Sequence, residues 1–231
     1  MNEDRLDTCY VPDNHSRQMT SNTLTGHLLK EKDINTVMDL GCGPGDSIDF
    51  FRAIDQFIDW IGLDLEQSPE VNKRKRTDAA FVAFNGIIIP FEDNHFDLIY
   101  CNQVFEHVRY PAALLKEVAR VLKPNGYFVG ATSQLEPYHS YSVWNFTPYG
   151  FQLLIEEAGL KLVEVRPSID ALTLIIRRGL RRHKIFSRWW DNESPLNRLI
   201  GLVGKLTRQS HKEINQTKLL FCGQFCFLVQ K

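Results

Sequence analysis

The stretch TVMDLGCGPG, residues 36–45, joins a short apolar run to three glycines spaced two apart, Gly41, Gly43 and Gly45. Alternating glycines at a strand end predict a loop shaped around a ligand, because glycine reaches positive φ and puts no Cβ in the path of an approaching group. A dinucleotide fingerprint, G-x-G-x-x-G, would place its third glycine where the helix opens and seat a pyrophosphate on that helix N-terminus. Here the position holds Asp46. A carboxylate there repels a diphosphate, while it suits the positive end of a helix and a ligand carrying an amine or a sulfonium. The loop therefore predicts a nucleoside without phosphates. Together with the absence of any Y-x-x-x-K pair, it speaks against a nicotinamide oxidoreductase.

The D-x-G-x-G-x-G of residues 39–45 resembles the first motif of the class I S-adenosylmethionine-dependent methyltransferases, and three later segments are similar to that family's in the same order. The run at 57–63 ends at Asp64, where the resemblance implies an acidic residue whose two oxygens take both ribose hydroxyls. PFEDNHFDLIYCNQVFEHV, residues 90–108, resembles the fourth strand with its lead-in, and ARVLKPNGYFVGATS, residues 119–133, the helix, turn and fifth strand. The likeness covers about residues 35–165 and is greatest to the broad group often called type 11. It implies an α/β fold with a doubly wound seven-stranded sheet, order 3-2-1-4-5-7-6 with the last strand antiparallel, and S-adenosyl-L-methionine as cofactor. The cofactor-binding set is then Asp39, Gly41, Gly43, Gly45, Asp64, Leu65, Asn85, Gly86, Cys101 and Asn102. In this set Asp39 organises the amides of the glycine loop. Asn85 stands where relatives commonly carry an aspartate that accepts from the adenine amino group, and its amide oxygen can accept the same bond without a charge; the other reading is a turn residue.

Alternating strand and helix patterns independently predict a parallel doubly wound sheet. Strands are expected near 35–40, 57–63, 80–84, 96–101, 126–132, 160–166 and 218–229. A helix at about 111–122 opens with Pro111 and carries Leu114, Leu115, Val118, Val121 and Leu122 on one face. Another follows Thr147, a predicted N-cap, and stops at Gly159. Residues 1–34 are expected to form a partly helical cap, and 35–231 the methyltransferase domain. The segment at about 168–216, between the last two strands, is an insertion relative to a minimal member of the family.

At 231 residues and 43% hydrophobic content the chain can bury one full α/β core. A formal charge of -1 argues against a chain that is basic throughout. MNEDRLD at the N-terminus is acidic and polar, unlike a signal peptide, and no apolar run is long enough to span a bilayer. Five scattered cysteines, with neither a C-x-x-C pair nor zinc spacing, read as reduced thiols with no metal site. The expected location is cytoplasmic, with peripheral contact at the inner membrane surface as a further reading.

A sulfonium is already an activated leaving group, so the protein has chiefly to align acceptor, methyl and sulfur and to exclude water. A hydroxyl acceptor also needs a proton acceptor, and two histidines fall in the expected crevice: His107 in FEHV and His139 in EPYHSYSVWNF. Neither a (D/N)-P-P-(Y/F) tetrapeptide nor a Pro-Cys pair is present, which argues against base-amine acceptors and covalent pyrimidine attack. The expected acceptor is a small-molecule or glycan/lipid-linked hydroxyl. A catalytically silent nucleoside-binding protein of the same fold is the main alternative. RRGLRRHKIFSR, residues 177–188, holds six Lys or Arg and no acid, and Trp189, Trp190 and an apolar helical pattern (Leu196, Leu199, Ile200, Val203, Leu206) follow. Two readings stay open for residues 177–206: a lid packed on the core, or contact with an anionic membrane or lipid phosphate. KRKR at 73–76, expected on a helix after the second strand, is the only added hint of nucleic acid, which is disfavoured without stacking motifs.

Overall fold

A computed structural model describes residues 9–231. Seven strands, β1 (Thr36–Leu40), β2 (Asp59–Leu65), β3 (Ala80–Phe84), β4 (Phe96–Asn102), β5 (Leu122–Ser133), β6 (Lys161–Pro167) and β7 (Gln224–Gln230), form one sheet in the order β3-β2-β1-β4-β5-β7-β6. The first five strands pair in parallel, and β7 runs antiparallel to both β5 and β6. This is the expected doubly wound fold. The order reverses between β1 and β4, so their carboxyl ends diverge into the crevice where ligands of open α/β sheets lie.

The central strands are buried on both faces and consequently read as nearly continuous apolar runs. On one face α3 (Pro111–Val121) inserts Leu114, Leu115, Val118 and Val121, all fully buried, and α4 (Pro148–Glu157) adds Phe151 and Ile155. Each such side chain contributes about 1.5–3 kcal/mol of burial. Proline opens both helices, and the Thr147 hydroxyl caps α4 by accepting from the Gly150 N–H at 3.0 Å. Across the sheet α1 (Ser21–Glu31) and α2 (Ser47–Ile54) cover Val37, Leu98, Tyr100 and Val129.

Between β6 and β7 lie α5 (Ala171–Gly179), the short α6 (Arg188–Asp191), α7 (Pro195–Leu206) and α8 (His211–Leu220). The last strand was expected from 218. Instead Ser210 and Glu213 form a capping box that starts α8, and the helix runs through Lys218 and Leu219 before the strand begins at Gln224. The second strand likewise starts at Asp59 and carries Asp64 within it, whereas Phe57 is exposed in the preceding turn. No helix holds KRKR: a single 3-10 turn, Val71–Lys73, precedes an irregular segment.

The apolar pattern of α7 points outward, not into the core. Its buried residues are Asn197 and Gly204, and Leu199, Leu202, Val203 and Leu206 are exposed. Gly204 lies so close to Ile214 of α8 that a Cβ would meet the isoleucine side chain at 2.5 Å, and Asn197 Nδ2 donates to the Ser168 carbonyl and to Gln18 Oε1, both at 2.8 Å. Close backbone approach and buried hydrogen bonds seat this helix, not its leucines. Residues 9–20 cross beneath it as a strap: Val165 N–H donates to the Tyr10 carbonyl, Met19 N–H to that of Pro167, and buried Lys218 donates to the Ser16 carbonyl. The first eight residues of the expected cap, MNEDRLD among them, lie outside the described residues.

Candidate functional site

The loop after β1 has the backbone its glycines predict. Gly41, Gly43 and Gly45 all have positive φ, at 76°, 51° and 87°. A Cβ on Gly41 would lie 2.3 Å from Val104 Cγ2, and one on Gly45 would lie 2.6 Å from the ring of Phe81. Conformation and contact both exclude a side chain at these two positions. The Gly41–Val104 contact also shows that the loops after β1 and β4 meet at the switch point.

Asp64 faces this loop from β2. Its Oδ2 accepts from Gly43 N–H at 2.7 Å and its Oδ1 from Leu65 N–H at 2.7 Å. A carboxylate offers about four acceptor directions, so each oxygen retains one for a ligand diol. The loop-organising role expected of Asp39 thus falls to Asp64. Asp39 is buried, and the donor to its side chain is the Ser47 hydroxyl at the start of α2. Burial pushes its carboxyl up to about 7, against the lowering hydrogen bond from Ser47 and with a further push from Asp64.

Arg74 and Arg76 were read from sequence only as part of a basic run. In the structure Arg74 donates through Nε and Nη2 to the Gly43 carbonyl, at 2.9 and 2.7 Å, and lies 3.9 Å from the centroid of the Phe81 ring. Arg76 donates to the Gly45 carbonyl at 2.9 Å and grips Asp49 with the same guanidinium. Glycines at positive φ turn their carbonyls outward, and the two arginines collect them. The one signal available in sequence was the i, i+2 spacing of the pair in an extended segment, which aims both side chains to the same side.

Asn85 departs from expectation. Its Oδ1 already accepts from Ile87 and Ile88 N–H, at 3.0 and 2.8 Å, so the oxygen assigned to adenine closes a turn, with Gly86 at φ 85° beside it. At the end of β4, Cys101 is buried, and Asn102 Oδ1 accepts from the Ser21 hydroxyl, which ties α1 to the rim of the crevice. Leu65 is 43% exposed at the end of β2.

A second hollow of about 240 Å³ opens beside Gln103, Glu136, His139 and Gln224, with Arg177, Arg178, Arg182 and Trp190 from the helical segment closing over it. His139 lines this cleft, and His107 packs behind it with ring centroids 5.3 Å apart. His139 Nδ1 lies 3.3 Å from the Pro137 carbonyl, an obligate acceptor, so Nδ1 is the nitrogen that donates there, and Glu136 Oε1 lies 3.6 Å from the same atom. Burial, aided by His139, holds the His107 pKa below its ordinary value, and its Nδ1 is buried without a hydrogen-bond partner. Glu106 is fully buried beneath them, accepting from the hydroxyls of Thr132 and Ser133. Burial raises its pKa to about 7.

Ligand atoms of Glu106, His107 and His139 lie within 4.8 Å of one another, a two-imidazole, one-carboxylate trio of a kind that can hold a divalent metal. Sequence spacing gave no sign of it, because His139 arrives from the loop after β5. The two hydroxyls on Glu106 give its carboxylate a role without a metal.

Residues 38–130 match the sequence profile of the family described as Methyltransferase domain. The profile begins in β1 and ends in β5, so it contains the glycine loop, Asp64 and the end of β4. This stretch is similar to that family, and the strand order of the sheet that contains it is the order the resemblance implies. An uncharacterized methyltransferase of Schizosaccharomyces pombe is 29% identical over 131 residues, 51% of this chain and 47% of that protein. The demethylmenaquinone methyltransferase of Renibacterium salmoninarum is 34% identical over 96 residues, 41% of this chain and 40% of that one. The chain thus spans less than half the length of either relative. Among solved structures, the 1,6-didemethyltoxoflavin-N1-methyltransferase of Burkholderia thailandensis, with bound 1,6-didemethyltoxoflavin and S-adenosylhomocysteine, superposes with a TM-score of 0.56 at 14% identity, covering 91% of this chain and 76% of that chain. At that identity the likeness is one of fold.

Proposed function

We propose that this chain binds S-adenosyl-L-methionine in the crevice at the ends of β1 and β4 and transfers its methyl group to an acceptor seated beside His139. The observation that carries the reading is the glycine loop, held in positive φ with its Gly43 amide on Asp64 and its carbonyls on Arg74 and Arg76. That loop leaves two carboxylate directions for a ribose diol and sets the exposed Asp46 where a dinucleotide would bring phosphate. The Burkholderia structure, with its bound S-adenosylhomocysteine, supports the choice of cofactor.

The acceptor atom we favour is an oxygen of a small-molecule or glycan/lipid-linked compound. His139, with Nδ1 engaged by the Pro137 carbonyl, would take the hydroxyl proton on Nε2 as the methyl moves, and His107 and Glu106 position it from behind. The lipid-linked variant draws support from the outward leucines of α7 and from Leu172, Ile175 and Ile176 of α5, all exposed. The Renibacterium relative is named for demethylmenaquinone, itself an apolar acceptor. An RNA acceptor loses its motive, since Arg74 and Arg76 are spent on the loop. No helix among the described residues is long and apolar enough to cross a membrane.

The test is release of S-adenosylhomocysteine from S-adenosylmethionine over a panel of hydroxyl, amine and quinol acceptors. Turnover with a hydroxyl acceptor that falls about 10²-fold in His139→Ala, with cofactor affinity unchanged, is expected. Cofactor binding without turnover on any acceptor would favour a silent nucleoside-binding protein.

A further inference from the structure

The arginines that close the acceptor cleft are held in no ion pair. Among the described residues no carboxylate lies within ion-pair distance of Arg177, Arg178 or Arg182. Glu136 shares the cleft, but its Oε2 is taken by the Ser133 hydroxyl at 2.9 Å and by Gln224 Nε2 at 2.6 Å. Arg178 gives one donor to the Tyr138 carbonyl at 2.7 Å. The Arg177 guanidinium lies 5.6 Å from the Trp190 ring centroid, and its Nε is buried with no hydrogen-bond partner. Burial, then the like charge of Arg182, press its pKa below the ordinary arginine value; Glu136 opposes them and Arg178 adds to them.

The backbone contributes to this crowding. Arg181 and Arg182 both sit at positive φ, 52° and 59°, in the turn that ends α5, and Arg182 N–H donates to the Arg177 carbonyl at 2.8 Å. Two consecutive non-glycine residues in the left-handed region are costly, and such strain gathers at ligand clamps. A carboxylate is satisfied by one guanidinium fork. Three converging forks suit a dianion with three terminal oxygens.

We propose that this cleft recognises a phosphoryl group carried by the methyl acceptor, with Arg177, Arg178 and Arg182 supplying charge and forked donors. The word acceptor rests on the methyltransferase reading, but anion binding can be measured without it. Glycerol 3-phosphate is the probe, with glycerol and acetate as uncharged and monoanionic controls, titrated calorimetrically into the full chain. Glycerol 3-phosphate is expected to bind at least tenfold more tightly than either control. Arg177→Gln with Arg182→Gln should weaken it at least tenfold, and Arg208→Gln, at an exposed position away from the cleft, should leave it unchanged. Should the double variant unfold, Arg178→Gln alone, at an exposed position, carries the same expectation with a smaller loss.

S-adenosylhomocysteine affinity is measured in parallel in every variant and is expected to stay constant. Its absence from wild type would refute the cofactor reading while leaving the phosphoryl site to its own titration. Equal affinity for glycerol 3-phosphate and glycerol, or undiminished affinity in the arginine variants, would overturn the proposal. So would arginine-dependent binding to vesicles of phosphatidylglycerol and phosphatidylcholine with none to glycerol 3-phosphate, which would make the cluster a membrane-facing surface.

Discussion

In the loop after β1, every partner comes from the adjoining βα units: Leu63 and Asp64 take its amides, and Arg74 and Arg76 take its carbonyls. The helical segment before β7 is fastened differently. Gln18 Nε2 donates to the Trp189 carbonyl, Gln18 N–H donates to Glu193, and Gln18 Oε1 accepts from Ser194 N–H and Asn197 Nδ2, all across 171 to 179 positions of chain. One region is fastened by neighbouring units, and the other by a long-range latch. The crevice is therefore expected to be alterable without loosening the helical segment, and the helical segment without altering the crevice.

The largest expected effect belongs to the crevice. Because the folded pKa of Asp39, about 7, lies above its ordinary 3.8, proton binding favours the native state. That contribution is complete below about pH 4 and is lost as pH rises to about 7, a change of about 4 kcal/mol at 1.4 kcal/mol per unit. Urea unfolding of wild type and Asp39→Asn across pH 4 to 8 should show wild type losing ground to the variant through that window. A constant difference would place the charge of Asp39 elsewhere.

Next comes Gly41→Ala. The methyl would meet Val104 at 2.3 Å in a backbone at φ 76°, and such strain costs about 1–3 kcal/mol. Affinity for S-adenosylhomocysteine should drop by on the order of 100-fold at little cost to binding in the arginine cleft. Smaller still is Gln18→Ala, which leaves donors of Ser194 and Asn197 unpaired for about 1–2 kcal/mol. It should lower global stability and leave cofactor affinity unchanged. A parallel loss of affinity would show that latch and crevice are coupled and would break the distinction between the two regions.

How much was legible in sequence follows the same division. Glycines, strand ends and Asp64 were readable because strand, turn and helix signals act over a few residues, and the sheet order came from resemblance over that same span. Reading failed where a distant partner decided. Leu199, Val203 and Leu206 make a helical stripe that the sequence left open between packing on the core and facing outward; Asn197 and Gly204 decide it by seating the helix, since Ser168, Gln18 and Ile214 meet it on that side. The start of β7 was misplaced because Leu219 and Leu220 continue an apolar run whose helical state is set by the capping box at Ser210. Arg74 and Arg76 read only as part of a basic run because the glycine carbonyls that they meet lie 31 positions earlier in the chain. The proximity of His107 and His139 depends on how the loop after β5 folds back, which no spacing encodes.

The central claim is that Asp64 and the glycine loop make a nucleoside site. Calorimetric titration of wild type, Asp64→Ala and Asp64→Asn with S-adenosylhomocysteine and with NAD tests it most directly. Wild type is expected to bind S-adenosylhomocysteine with little affinity for NAD, and Asp64→Ala to lose about 1.5–3 kcal/mol or more, at least tenfold, with the asparagine variant intermediate. Unchanged affinity in Asp64→Ala, or NAD binding as tightly as S-adenosylhomocysteine, would contradict it.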